Sequence, residues 1–305
     1  LQACLEKRTS FYQIPEKESF RLVHLESERI RADRFGNHLW IYDYTDSGLN
    51  DSEKTSIREF AKSNDLRPII RHMLDRGAGV GGLEKKTLEA NTPDENWIAE
   101  EEKINYVLKT NSGFSPGLFL DQRENRLWVR ENSKNKNVLN LFSYTCGFSV
   151  AAALSEAAKV TTVDVSAKFL NWGRENFAAN KLNDKAHEFF AQDCLLFLKG
   201  SVKRKRQWDL IICDPPTFGR SKDSVWKIER DLPDLAELLL QCTSKGGKIL
   251  FTCNYEKMNR DELLKLFSQK IRGQFKAARL PQLSLDYEHT DDLKNLMKGF
   301  LITKN

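Results

Sequence analysis

The stretch Val138–Gly147, VLNLFSYTCG, constrains this chain more than any other. The apolar run VLNLF reads as a buried strand. It enters a turn of small and polar residues, and helix-forming sequence follows over Phe148–Ala158. Next comes VTTVD, Val160–Asp164, a second buried strand closed by an acid. Strand, tight turn, helix, strand, acid is how a doubly wound α/β sheet begins, and such sheets hold nucleoside-bearing cofactors beyond the carboxyl ends of their strands. A dinucleotide fingerprint would need three spaced glycines to let the backbone reach a pyrophosphate. Here Gly147 stands alone, after Ser143, Thr145 and Cys146. The expected cofactor carries adenosine without a diphosphate, and S-adenosylmethionine fits.

The sequence after this stretch keeps the same alternation. Ala167–Asn180 reads as a helix, Phe189–Ala191 as a strand with Asp193 and Cys194 at its end, and Leu195–Gly200 as the start of a helix. WDLIICD, Trp208–Asp214, is a strand; Val225–Gln241 contains a helix that Pro233 is expected to break or kink. A strand in GGKILFTCN, a helix over Arg260–Gln269, and strands at Phe275–Leu280 and Gly299–Thr303 complete a mostly parallel sheet of seven strands. Near-continuous apolar strands are what a sheet covered on both faces requires.

The first part of the chain has a different texture. Residues 1–18 are polar and weakly patterned; either Phe11, Tyr12 and Ile14 dock as a small anchor or the segment frays. Phe35-Gly36-Asn37 makes a turn before a strand at Leu39–Tyr44, residues 51–64 have helical spacing, and LRPIIRHML reads as a strand. Arg76–Gly82, rich in glycine, is loop, and INYVLKT within Trp97–Thr110 is a strand. These pieces make a small α+β domain. Residues 1–112 are expected to form this domain with an N-terminal extension, and 113–305 the cofactor-binding domain. Gly113–Arg126 reads as a hinge-like link, with a helix from Gln122 to Glu131 feeding the first central strand.

The length of 305 residues suits two ordinary domains, and 40% apolar with 30% charged residues suits a globular protein. No apolar run is long enough to span a bilayer, and nothing at the start resembles a signal peptide. Leu1 in place of Met points to a trimmed or partial chain. The formal charge of +5 permits a nucleic-acid partner without demanding one. The densest basic run, Lys203–Arg206 with Lys199 before it, reads either as a solvated loop or as a phosphate contact. Six scattered cysteines without a C-x-x-C pair fit a reducing, cytoplasmic setting, and His24, His38, His72, His187 and His289 show no metal spacing.

Candidate functional residues cluster at strand ends. Asp164 is placed to accept bonds from two ribose hydroxyls or, alternatively, to cap the next helix. Asp193 suits the adenine amino group or a cap. Phe142, Ser143, Thr145 and Gly147 in the first turn, Val165 after the acid, and Cys194 complete the expected cofactor lining. Asp214-Pro215-Pro216-Thr217-Phe218 leaves its strand through two prolines that stiffen the backbone. A base held there would meet the Phe218 ring and the Asp214 carboxylate, as a flipped-out base is recognised. Arg220 and Lys222 follow with positive charge. Cys253, in FTCNY, is either a small hydrophobe or a thiolate that attacks C6 of a pyrimidine.

GLFLDQRENR (Gly117–Arg126), LNLFSYTCGFSV (Leu139–Val150), TTVDVS (Thr161–Ser166) and DPPTFGRSK (Asp214–Lys222) together resemble the bacterial 23S ribosomal-RNA base methyltransferases. The resemblance implies a class I S-adenosylmethionine-dependent enzyme acting on ribosomal RNA or an assembly intermediate, as monomer or homodimer. It implies that Arg123, Asn140, Thr145, Gly147, Asp164, Asp193 and Asp214 line the cofactor site and that Phe218 helps hold the base. The family has a guanine-N7 branch and a cytosine-C5 branch. DPPTF followed by Ser-Lys resembles the guanine branch, while Cys253 stands where the cytosine branch has its nucleophile. The family usually has glycine where this chain has Cys146.

Overall fold

The computed structural model describes residues 1–11, 18–73, 95–112, 115–220, 225–281, 285–287 and 297–305. The expectations for Arg76–Gly82, Tyr12, Ile14, Gly113, Ser221-Lys222 and His289 lie outside these residues. The chain divides into two compact units. One is Leu1–Arg123 with Leu283–Glu288; the other is Glu124–Gln282 with His289–Asn305.

In the second unit a seven-stranded sheet has the order β14-β15-β13-β10-β7-β8-β9. The strands are β7 (Asn137–Leu141), β8 (Lys159–Asp164), β9 (Glu188–Ala191), β10 (Trp208–Cys213), β13 (Thr243–Cys253), β14 (Phe275–Arg279) and β15 (Lys298–Lys304). Only β15 runs against its neighbours. The chain builds outward from β7 through β8 to β9, then returns to the other side of β7 with β10. The topological switch point therefore lies between β7 and β10, where open α/β sheets bind ligands.

Alternation along the strands sends Leu139, Leu141, Ile211, Cys213, Ile249 and Phe251 to one face. There they share an apolar core with Phe197 of α6 (Cys194–Lys203), Leu232, Leu235 and Leu239 of α7 (Ile228–Cys242), and Leu263 and Phe267 of α8 (Arg260–Phe267). The helices α3 (Arg123–Asn132), α4 (Gly147–Leu154) and α5 (Ala167–Ala179) complete the alternation read from the sequence.

One expectation needs correction here. Pro233 lies inside α7, which continues unbroken to Cys242. Its missing N–H forfeits one bond near the helix start, and burial of Leu232, Leu235, Ala236, Leu239 and Leu240 outweighs that loss. The helix expected within Val225–Gln241 begins at Ile228. Val225–Lys227 instead form β12, paired antiparallel with β11 (Phe218–Arg220).

The first unit has a four-stranded sheet, β1 (Ser19–Val23), β2 (Ile30–Phe35), β3 (His38–Asp43) and β4 (Arg67–His72), in that order. Gly36, at φ 62°, closes the β2–β3 hairpin. The parallel β3–β4 pair is joined through α2 (Asp51–Ser63), which starts with a capping box between Asn50 and Glu53. β5 (Asn96–Glu101) and β6 (Ile104–Lys109) form a separate pair. Gln2–Phe11 is a helix, α1, where the sequence shows little pattern. Leu1, Cys4 and Leu5 pack against the core. Arg8, fully buried, donates to Glu26 (2.6 Å) and to the Arg21 carbonyl (3.1 Å). A charged residue facing inward hides the amphipathic stripe.

Candidate active site

The turn after β7 carries the site. Phe142, Tyr144 and Cys146 all have left-handed φ, at 54°, 47° and 66°. Each such residue costs about 1–3 kcal/mol and persists only where its surroundings hold it. They do so here. The Phe142 N–H points to Cys194 Sγ (3.3 Å), and Ser143 N–H donates to the Val163 carbonyl (3.2 Å). Cys146 N–H donates to the Ser143 carbonyl (2.8 Å), and Asn176 of α5 donates its side-chain amide to the Thr145 carbonyl (2.8 Å).

Asp164 ends β8 and is 8% exposed. Its Oδ2 accepts the Tyr144 N–H (2.9 Å) and its Oδ1 the Ser166 N–H (2.8 Å). Burial raises its pKa, and the Ser166 and Tyr144 bonds oppose that rise. A carboxylate offers about four lone-pair sites. With one backbone donor on each oxygen, Asp164 keeps acceptor capacity on both. Val165 beside it is 57% exposed, and Leu196, just beyond the tip of β9, is 47% exposed. These aliphatic surfaces stand next to acids at adjacent strand ends.

Asp193 is the N-cap of α6, its Oδ1 accepting the Leu196 N–H (3.0 Å). Asn140 points into the sheet, where its amide donates to Ser149 Oγ (2.9 Å), which in turn bonds Thr162 Oγ1 (2.9 Å). Gly147 begins α4 directly after the turn. Cys146 and Cys194 are buried thiols; burial pushes Cys146 up to about 12 and Cys194 also upward.

Asp214-Pro215-Pro216 leaves β10 beside the switch point. Trp226 of β12 donates its indole N–H to the Pro216 carbonyl (2.6 Å). Ile228 N–H donates to the Thr217 carbonyl (3.2 Å), so the loop is tied at two points. Cys253 ends β13 inside the apolar core, with no exposed surface. Burial and then the nearby Asp214 charge push its thiol up to about 12.

Arg123, expected at the cofactor, belongs to the first unit. Its guanidinium pairs with Asp286 (3.1 Å) and Glu101 (3.6 Å) and donates to the Ser19 carbonyl. Of the basic run, Arg206 pairs with Glu188 (2.6 Å) and lies over the Trp208 ring. Among the described residues no group of His, Cys, Asp and Glu is arranged to hold a metal ion, and no helix is long and apolar enough to cross a membrane.

A family model described as S-adenosylmethionine-dependent methyltransferase matches residues 83–287. The chain belongs to this family. The Shewanella sp. (strain ANA-3) protein named "Ribosomal RNA large subunit methyltransferase K/L" is 39% identical over 299 residues. That alignment covers 91% of this chain but only 40% of the Shewanella protein, so the chain spans about two fifths of its relative's length. The SMU.776 chain, solved in complex with SAH, superposes with a TM-score of 0.85 at 25% identity, covering 99% of this chain and 79% of that one. A SAM-dependent methyltransferase from Agrobacterium tumefaciens shares the fold, with a TM-score of 0.69 at 19% identity over 91% of this chain and 88% of that one.

The fold is thus that of a class I methyltransferase, with a Rossmann-like, mostly parallel sheet and a smaller N-terminal domain. The donor set of the methyltransferase fits its cofactor. A buried carboxylate with capacity on both oxygens suits the paired hydroxyls of a ribose. A turn built from backbone held in unusual conformations suits a zwitterionic amino-acid end. Sequence reasoning missed Trp226 and the Ser149–Thr162 pair. A tryptophan ten residues past a double proline was the one available signal.

Proposed function

We propose that this methyltransferase modifies a base of large-subunit ribosomal RNA, with N7 of guanine as the acceptor atom. Its similarity to proteins named for large-subunit ribosomal-RNA methylation supports the substrate class. The observation carrying the choice of base is Cys253. A pyrimidine route needs a thiolate to attack C6 and activate C5. The Cys253 thiol is fully buried and raised to about 12, a proton-holding state at neutral pH. Guanine N7 already offers a lone pair and requires no covalent help.

S-adenosylmethionine supplies an electrophilic methyl group. The chain's own residues bind and orient. Asp164, Val165, Asp193 and the Phe142–Gly147 turn would hold the cofactor, with Asn140 anchoring α4 through Ser149 and Cys194 backing the turn. Asp214 and Phe218 would grip the base, and Pro215 would limit the loop's freedom. Catalysis is then placement in line, worth up to about 7–11 kcal/mol when the geometry is met.

Mass spectrometry of nucleosides, after incubating the chain with unmodified 23S ribosomal RNA, tests the reading. 7-Methylguanosine is the expected product, and Cys253→Ala should retain most of the activity. The cytosine alternative, with Cys253 as nucleophile, predicts 5-methylcytosine, a covalent adduct with 5-fluorocytosine RNA, and an inactive Cys253→Ala chain. Any of these three results would replace the guanine reading. A polyanionic partner should also give binding that weakens steeply with salt.

A further inference from the structure

We infer that Trp226 is a positioning residue for methyl transfer, joining the turn after β7 to the double-proline loop after β10. This rests on the proposed reading of that loop as the acceptor's seat. The indole is 6% exposed and makes two contacts of different kinds. Its N–H donates to the Pro216 carbonyl at 2.6 Å. Its ring packs on Phe142, with centroids 6.1 Å apart and planes at 44°. Phe142 is the first left-handed residue of the cofactor turn, and Pro216 sits between Asp214 and Phe218.

The elements on which Trp226 sits make this arrangement stiff. β12 pairs with β11, placing Gly219 opposite Trp226 in register. Pro216 cannot donate a backbone hydrogen bond, and its ring fixes φ. Its carbonyl is the one backbone polar group at that position, and the indole holds it. One side chain therefore sets the spacing between the two segments that must present donor and acceptor in line. Errors of about 1 Å in such placement cost on the order of a hundredfold in rate.

Trp226→Phe keeps an aromatic ring against Phe142 and removes the donor. Pro216 is exposed, so water can satisfy its carbonyl and the fold should hold. Steady-state methyl transfer to a protein-free 23S ribosomal-RNA transcript is the first measurement. We expect kcat to fall roughly tenfold to a hundredfold. KM for RNA and calorimetric affinity for S-adenosylhomocysteine should stay within about twofold, because a tether that sets in-line placement acts on the transition state rather than on ground-state binding. A kcat within about threefold of the parent would overturn the inference. So would a fall in kcat matched by an equal loss of S-adenosylhomocysteine affinity. Hydrogen exchange requires no substrate and is the second measurement. Amides of Thr217–Gly219 should exchange faster in Trp226→Phe while those of Ser149–Ala153 in α4 keep their rates; unchanged exchange at Thr217–Gly219 also overturns it. A parent chain inert on RNA would instead refute the substrate reading, leaving the exchange result to decide the role of Trp226.

Discussion

Gly173 of α5 and Cys146 of the cofactor turn occupy one space, and exchanging the glycine tests how tightly the turn is specified. A Cβ built on Gly173 would lie 2.1 Å from Cys146 Sγ and 2.7 Å from its Cβ. Rotating the cysteine moves only the sulfur; the second overlap requires backbone to shift. Overpacking of this kind costs about 1–3 kcal/mol, against a helix-propensity gain near 1 kcal/mol for alanine over glycine. Gly173→Ala should therefore destabilise by up to about 2 kcal/mol. Cys146→Gly loses about 1 kcal/mol of thiol burial and recovers a similar amount at the left-handed φ of 66°, leaving stability nearly unchanged. In the double variant the alanine methyl enters the vacated space and its helical gain remains. The coupling energy is then about 1–3 kcal/mol, the overpacking that the second substitution relieves. Urea unfolding with and without S-adenosylhomocysteine is the assay, because ligand shifts only the transition of the unit that binds it. Additivity within about 0.5 kcal/mol would refute the argument that these two residues are fitted to each other.

Asp164→Asn should weaken S-adenosylhomocysteine by at least about tenfold, since a charge-assisted acceptor is lost while the fold remains; calorimetry reads it. In the parent chain affinity should be full while Asp164 is ionised. It should fall with acidification at a pH above the usual aspartate range, because burial raises this carboxyl; a carboxyl titrating at its ordinary value would count against that assignment. His24 is held near 4 by burial first and then by Arg21 and Arg31. With its folded pKa below the unfolded value of 6.5, its contribution is complete above 6.5 and is lost as pH falls toward 4. That loss amounts to about 3 kcal/mol, and His24→Gln should flatten this limb of the stability profile. Arg123→Ala removes the guanidinium from the buried Asp286 and Glu101 and should cost about 3–5 kcal/mol in unfolding by urea; a neutral result would mean that the network is dispensable.

The central sheet was legible because its strands are covered on both faces: VLNLF and WDLIIC are mostly apolar, and VTTVD is β-branched in its first four residues. The acids at their ends could be placed before the structure was seen, since strand ends are where this topology binds ligands. What escaped was carried by contacts distant in sequence or by conformations with no residue signature. Arg123 finds Asp286, 163 positions away. β11 and β12 are three residues each, too short to show a period. The inward Arg8 disguised α1 as a polar extension. The left-handed turn is the clearest case: glycine is the signal for positive φ, and this chain places phenylalanine, tyrosine and cysteine there.

That substitution of pattern explains why a single glycine suffices. A glycine-rich turn reaches its shape without strain and without needing neighbours. Here the shape is imposed from outside by Cys194, Val163, Asp164 and Asn176, each fixing one peptide group of the turn. Three of these partners come from strand ends or the helix that follows, so the turn is only as ordered as the sheet beneath it. In the proposed reading Asp164 acts twice, bonding the Tyr144 N–H and offering its remaining capacity to the cofactor. Removing its carboxylate should therefore disturb the amino-acid end of the cofactor site as well as the ribose end. Hydrogen exchange can separate the two: in Asp164→Asn the Tyr144 and Thr145 amides should lose protection even without ligand. Unchanged protection there would show that the turn stands independently of the acid.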